Sequence, residues 1–176
     1  YTLLGLLSSA GLRISEALQL EFGDITKDGL LIRNSKYRKS SLLPLHPSTL
    51  NALDRYLEMR RRLATKEEHI FISKSHRPLG RQSVYRVFHN LLEQTGIPKQ
   101  TVKKTPRLID FRHTFATNAL MKCTNSRDHI SQHMLALSTY LGHAHVGCTY
   151  WYLENTPNLM RDIANTCVSF IEEKPL

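Results

Sequence analysis

The chain has 176 residues, 41% of them hydrophobic and 22% charged, and its 24 Lys and Arg against 15 Asp and Glu leave a formal charge of +9. That balance supports a buried core, excludes intrinsic disorder and collagen-like repetition, and at this length suits one domain with at most an appendage. No apolar run approaches the ~20 residues that cross a bilayer, and a start at Tyr1, without Met and inside an apolar run, marks the chain as an expected fragment of a longer protein.

The charge is concentrated. Residues 1–68 carry 11 basic and 8 acidic side chains, residues 69–112 carry 9 and 2, and residues 113–176 carry 4 and 5, for nets of +3, +7 and −1. A focused basic segment suits a polyanion such as nucleic acid better than an anionic membrane, with an ordinary solvated basic surface as the competing explanation. Cys123, Cys148 and Cys167 are odd in number and lack CxxC spacing, which argues against a disulfide framework or zinc knuckle and fits a reducing, cytosol-like compartment.

In chain order, Leu3, Leu4, Leu6 and Leu7 predict a buried helix broken at Gly11, after which Ile14, Ala17 and Leu18 resume helical spacing. Leu30–Arg33 and Leu42–Leu45 read as short strands of a hairpin whose tip carries Lys36, Tyr37, Arg38 and Lys39. His46-Pro47-Ser48 opens a helix with Leu50, Leu53, Leu57 and Leu63 as its apolar stripe, and Arg60, Arg61 and Arg62 close it where cations suit the helix dipole. Ile70-Phe71-Ile72 reads as a strand. A turn through Pro78-Leu79-Gly80 leads to a helix with Val84, Val87, Phe88, Leu91 and Leu92 on one side, ended by Gly96. After a basic loop from Pro98 to Pro106, one helix starts near Leu108 with Phe111, Phe115, Ala119 and Leu120. Another runs from Ile130 to Leu141 and stops at Gly142. Two short helices follow, one approaching Tyr152 and one after Pro157 with Leu159, Ile163 and Phe170. The expected fold class is mainly α with a small antiparallel β-sheet (α+β).

Four separated pieces hold groups suited to a phosphodiester: Gly11-Leu12-Arg13-Ile14-Ser15-Glu16, Lys36 at the hairpin tip, Arg112-His113, and Leu141-Gly142-His143 followed by Tyr152. Cutting DNA without a metal or ATP needs a nucleophile that conserves the phosphodiester energy, donors for a pentavalent phosphorane and an acid for the departing 5′ oxygen. Each piece is short, but in this order and spacing they resemble the catalytic domain of the tyrosine site-specific recombinases, the phage integrase family, from residue 3 to about residue 155.

The resemblance implies that Tyr152 attacks phosphorus to form a 3′-phosphotyrosyl link, that Arg13 and Arg112 clamp non-bridging oxygens, that Lys36 protonates the leaving oxygen, and that His143 donates to the phosphate. Glu16 would steady the site as a supporting acid. Alternatives stand beside these roles. Arg13 and Glu16, three apart, would also make an ordinary surface ion pair worth a few tenths of a kcal/mol. Lys39 competes with Lys36. Tyr150 competes with Tyr152, although two positions along a short helix turn a side chain through ~200°, so only one of them faces the phosphate.

The family usually has His three residues before the mid-chain Arg, where this chain has Ile109. Positions i and i+3 share a helix face, so Ile109 is expected beside Arg112 without offering a proton. Losing one such donor typically costs ~10² to 10³ in rate. Arg107 and His113 are the neighbouring substitutes, His113 the poorer because it lies about 100° round the helix and is expected to pack or cap locally.

Lys74, Lys99, Lys39, Arg77, Arg81, Arg86, Lys103, Lys104 and Arg107 are candidate DNA-binding residues, with Ser83, Tyr85 and Arg86 on a helix suited to groove contacts. His129 and His133, at i and i+4, have no evident third ligand, so no metal or other cofactor is expected. The resemblance further implies double-stranded DNA as partner, four protomers working together, no membrane, and a cytoplasmic, DNA-associated bacterial protein. Residues 1–155 would be the catalytic domain. Residues 156–176 would be a tail that docks on a neighbouring protomer or packs within its own chain, and an N-terminal core-binding domain would lie outside this chain. Two further readings remain open: a degenerate relative that binds DNA without cutting it, and a type IB topoisomerase-like activity.

Overall fold

A computed structural model describes residues 1–33, 40–96, 105–122 and 127–152, with side chains from Ser131 onward in the last stretch. The chain divides into two compact units, Tyr1–Arg112 and a second that begins at His113. Among the described residues no helix is long and apolar enough to cross a membrane.

In the first unit, α1 (Thr2–Ala10) buries Leu3, Leu6, Leu7 and Ala10, an i, i+3, i+4 stripe. Gly11 ends it at φ 63°, and the Gly11 N–H donates to the Leu7 carbonyl at 3.1 Å. Only glycine adopts that left-handed geometry without a Cβ penalty. The turn leads directly into α2 (Ile14–Leu18) and, after a single 3-10 turn at Phe22–Asp24, into the sheet.

The sheet has three antiparallel strands in the order β1 (Ile25–Thr26), β2 (Gly29–Ile32), β3 (Ser41–Leu43). Leu30 pairs with Ile25 on one side and with Leu43 on the other. Leu30, Ile32 and Leu43 are buried, so one face of the sheet lies on the core. β1 was not expected, because two residues are too few to show alternation. Gly29 is required at the turn: at φ 140°, an added Cβ would lie 2.2 Å from the Leu43 carbonyl oxygen.

α3 (Pro47–Arg61) starts where His46 and Pro47 place it, with the His46 imidazole accepting from the Ser48 N–H at 3.3 Å. Its core residues are Leu53 and Leu57. Leu63 lies past the helix end and is exposed. Arg60 does not serve as an exposed cation at the helix terminus. It is buried and donates to the carbonyls of Glu67 at 2.6 Å and His69 at 2.9 Å, strapping down the loop that follows. The Ile70–Ile72 strand is not formed. Ile70 donates to the Leu20 carbonyl at 2.8 Å and Phe71 accepts from the Leu79 N–H at 2.9 Å, and among the described residues this stretch forms isolated bridges, Glu21 with His69 and Ile72 with Pro78, in place of a continuous ladder.

α4 (Arg81–Gln94) buries Val84 and Phe88, while Val87 and Leu91 of the expected apolar side are exposed. α5 (Leu108–Met121) follows, and the division between the units falls within it, after Arg112. Phe111 packs on Phe88 with ring centroids 5.9 Å apart.

In the second unit, the later turns of α5, α6 (Arg127–Tyr140) and α7 (Gly147–Tyr150) surround a core of Ala116, Leu120, Met134, Leu137, Leu141 and Tyr152. Phe115 stacks on Tyr140 at 5.4 Å. The His133 Nε2 lies 2.9 Å from the Ala119 carbonyl oxygen and donates to it, which gives this histidine a structural partner within the unit. The hairpin tip with Lys36 and Lys39, the loop with Lys99, Lys103 and Lys104, and the stretch with Leu159, Ile163 and Phe170 lie outside the described residues.

Candidate functional site

Arg13, Glu16 and Arg112 meet in the first unit although 99 positions of sequence separate Arg13 from Arg112. Arg13 is the residue before α2. Its backbone N–H donates to the Glu16 carboxylate at 2.8 Å, the reciprocal half of an N-terminal cap, and its Nη1 donates to the other carboxylate oxygen at 2.5 Å. The local ion pair weighed from sequence therefore exists, and it is part of a larger arrangement. The Arg112 Nη1 donates to the Gly11 carbonyl at 2.8 Å and lies 3.9 Å from Glu16. That second separation is too long for a hydrogen bond, but it places the carboxylate charge beside the guanidinium.

Exposure distinguishes the two arginines. The Arg13 side chain is 27% exposed and that of Arg112 only 4%. A buried guanidinium held by a carbonyl and a nearby carboxylate has a fixed direction, and a partly exposed one beside it is open to an anion from solvent. Planar, permanently charged forks in this arrangement suit a group with several anionic oxygens. Ile109 lies one turn before Arg112 on α5 and is half-buried. Arg107, a suggested substitute for the missing donor, is exposed and committed to Asp110: its backbone N–H donates at 2.7 Å and its Nη2 at 2.9 Å, an interaction that also raises its already high pKa.

His143 and Tyr152 meet in the second unit. After α6, the His143 N–H donates to the Ser138 carbonyl at 3.0 Å, which turns the chain sharply past Gly142. The imidazole stacks on Tyr152 with centroids 6.0 Å apart and planes 13° apart. Tyr152 is buried in the unit's core, whereas Tyr150 is 53% exposed, so the two tyrosines face opposite ways as their spacing required. Two further residues join this group. His113, the poorer of the two suggested substitutes and expected to pack or cap locally, packs on the Tyr152 ring at 5.6 Å and the Trp151 ring at 4.9 Å, and Thr149 carried no functional expectation. Thr149 is fully buried with its hydroxyl 2.8 Å from the His143 Nδ1. Its place three residues before Tyr152 was the available signal, and threonine is too common near helix starts for that signal to be read.

Of the candidate DNA-binding residues in view, Lys74, Arg77, Arg81, Arg86 and Arg107 are all exposed. Arg81 lies over the Tyr85 ring at 5.4 Å and donates to its hydroxyl at 3.2 Å.

Residues 1–158 match the family model described as the phage integrase family. The chain is 40% identical over 167 residues to the integrase/recombinase y4rB of Sinorhizobium fredii, covering 92% of this chain and 53% of that protein. It is 29% identical over 165 residues to the tyrosine recombinase XerD of Halalkalibacterium halodurans, covering 92% and 51%. It thus spans about half the length of these relatives. Among solved structures, its fold is similar to XerA recombinase, with a TM-score of 0.74 at 21% identity over 100% of this chain and 57% of that one. It is also similar to the lambda integrase catalytic core, with a TM-score of 0.62 at 21% identity over 81% of each.

Proposed function

Because the chain belongs to the phage integrase family, we propose that it is the catalytic part of a site-specific DNA recombinase that cuts and rejoins strands through a 3′-phosphotyrosyl bond at Tyr152. The observation that carries the reading is the convergence of Arg13 and Arg112 on Glu16, a paired-guanidinium site that Glu16 orients. The Tyr152 phenol gives up its proton to solvent as its oxygen bonds to phosphorus and the bond to the 5′ oxygen breaks. Lys36 supplies the proton that oxygen takes. Charge on the phosphorane is met by Arg13 and Arg112, with His143 donating to a phosphate oxygen. A 5′-hydroxyl of another strand then attacks the phosphotyrosine and releases Tyr152. One phosphodiester is exchanged for another through an ester of similar energy, so the cycle needs neither ATP nor a metal ion.

Tyr152 is 4% exposed, so its side chain must become more accessible for the hydroxyl to reach a phosphodiester. Arg77, Arg81 and Arg86 contact neighbouring phosphates, and binding weakens with log K falling by ~0.9 for each phosphate neutralised as log salt rises. Further protomers on the same DNA complete the exchange of strands.

The test is a nicked suicide duplex, on which strand cleavage releases a short fragment and traps protein on DNA. The intact protein is expected to form a covalent adduct that Tyr152→Phe abolishes and Tyr150→Phe retains. Ile109, which supplies no proton beside Arg112, favours a second reading, a relative that binds DNA without cutting it. DNA binding with no adduct from the intact protein would establish that reading in place of the first.

A further inference from the structure

Thr149 lies six residues after His143 and three before Tyr152, and no solvent reaches it. Its hydroxyl is 2.8 Å from the His143 Nδ1, and its carbonyl accepts the Tyr152 N–H at 3.0 Å. One residue therefore holds the imidazole through its side chain and the nucleophile's backbone through its main chain. We propose that Thr149 is a positioning residue that sets the tautomer and direction of the His143 ring, so that the proton sits on Nε2. This rests on the reading of His143 as donor to the phosphate.

The chemistry of the pair supports the assignment. A neutral imidazole carries one N–H, and the partner of one ring nitrogen decides where it sits. A hydroxyl can either donate to Nδ1 or accept from Nδ1–H; donating to the neutral ring, as proposed, it leaves Nε2 as the protonated nitrogen. When His143 is protonated, the hydroxyl rotates and accepts from Nδ1–H. A carboxylate in its place would only accept and would favour the imidazolium. A valine would do neither. Complete burial of Thr149 keeps water from competing for its hydroxyl, and the β-branched side chain restricts the direction in which that hydroxyl points. The nearly parallel stacking of His143 on Tyr152 couples the ring so fixed to the phenol beside it.

Two substitutions isolate the hydroxyl, since neither touches the backbone bond to Tyr152. In the intact protein, Thr149→Val is expected to slow adduct formation on saturating nicked substrate about ten-fold, the size of one hydrogen bond to a group that takes up charge, with DNA affinity unchanged. Thr149→Ser, which restores the hydroxyl, is expected to recover the rate to within about two-fold of wild type. Nitrogen-15 spectra of the His143 ring, which need no DNA, are expected to show the Nε2–H form in wild type and Thr149→Ser and a mixture in Thr149→Val. The proposal is overturned if valine matches wild type in rate, if serine is as slow as valine, or if the tautomer is the same in all three. A wild type without adduct, or a His143→Ala variant at full rate, would count against the functional reading, and the ring spectra would then decide the role of Thr149 alone.

Discussion

Replacing Glu16 by alanine removes three things at once from the start of α2. The cap bond from the Arg13 N–H is worth about 1 kcal/mol. The charged bond to the Arg13 side chain, discounted for that side chain's 27% exposure, adds about 0.5 kcal/mol. Removing the negative charge 3.9 Å from the buried Arg112 adds about 1 kcal/mol, less than a directly bonded buried pair because no hydrogen bond is lost there. The sum is about 2–3 kcal/mol, or a fall in Tm of roughly 5–10 °C for a chain of this size. Glu16→Gln keeps an oxygen for the cap and loses only the charge, so it should fall about half as far. Both should slow adduct formation at least ten-fold, because the two guanidiniums lose the carboxylate that aims them. Thermal melts by circular dichroism and initial rates on the nicked duplex measure the two effects, with the exposed Ser15→Ala on the same helix as control. If the glutamine variant is as stable and as fast as wild type, Glu16 does not organise this site.

Gly29→Ala should lower stability by at least ~2 kcal/mol in urea unfolding, since its Cβ would meet the backbone of Leu43 and Pro44. Gly5→Ala, inside α1 where an added Cβ would meet nothing within 4 Å beyond its own helix backbone, should raise stability by about 0.5–1 kcal/mol in the same assay. Tyr56→Phe loses the hydrogen bond to the Ile70 carbonyl and should cost about 1 kcal/mol at neutral pH. Desolvation raises the Tyr56 pKa above its ordinary value of 10.0, so its contribution is present below that pH and lost as pH climbs through the folded value. Urea midpoints on either side of pH 10.0 should therefore converge for the variant and wild type as alkalinity rises. Ile109→His should accelerate adduct formation if the missing donor limits the rate, by up to the ~10² to 10³ that one donor supplies. An unchanged rate would remove that explanation.

Much of the site was legible because its bonds are local. Arg13 and Glu16 are three apart, so a short motif carries that part of the geometry, whereas the equally local bond between Thr149 and Tyr152 went unread because a threonine near a helix start is no distinctive signal. The helices were legible for a similar reason: Leu53 with Leu57 and Val84 with Phe88 repeat at one helical turn and are buried. What escaped depended on distant partners. Arg60 looks like one of three equivalent arginines, and only the loop carbonyls of Glu67 and His69 make it a buried strap. Ile70 and Phe71 have the composition of a strand, but a strand also needs a neighbour along its length. His113 was judged by its angle from Arg112, which says nothing about rings that arrive from 38 and 39 residues further on.

The segment from Gly11 to Glu16 works as one physical unit, and this explains why so short a run is informative. Gly11 turns the chain at positive φ, and the same turn aims its carbonyl at the Arg112 guanidinium. Leu12 is 4% exposed and anchors the turn in the core, which fixes where Arg13 emerges. Arg13 then begins α2, and Glu16, reaching back to its backbone and side chain, is brought beside Arg112 as well. Alanine at position 11 would thus do more than add the ~1 kcal/mol of a left-handed residue. It would tilt the acceptor that holds a guanidinium 101 residues away. That bond joins the start of the chain to its middle, and through it the identity of one glycine bears on the direction of an arginine that no local pattern could have oriented.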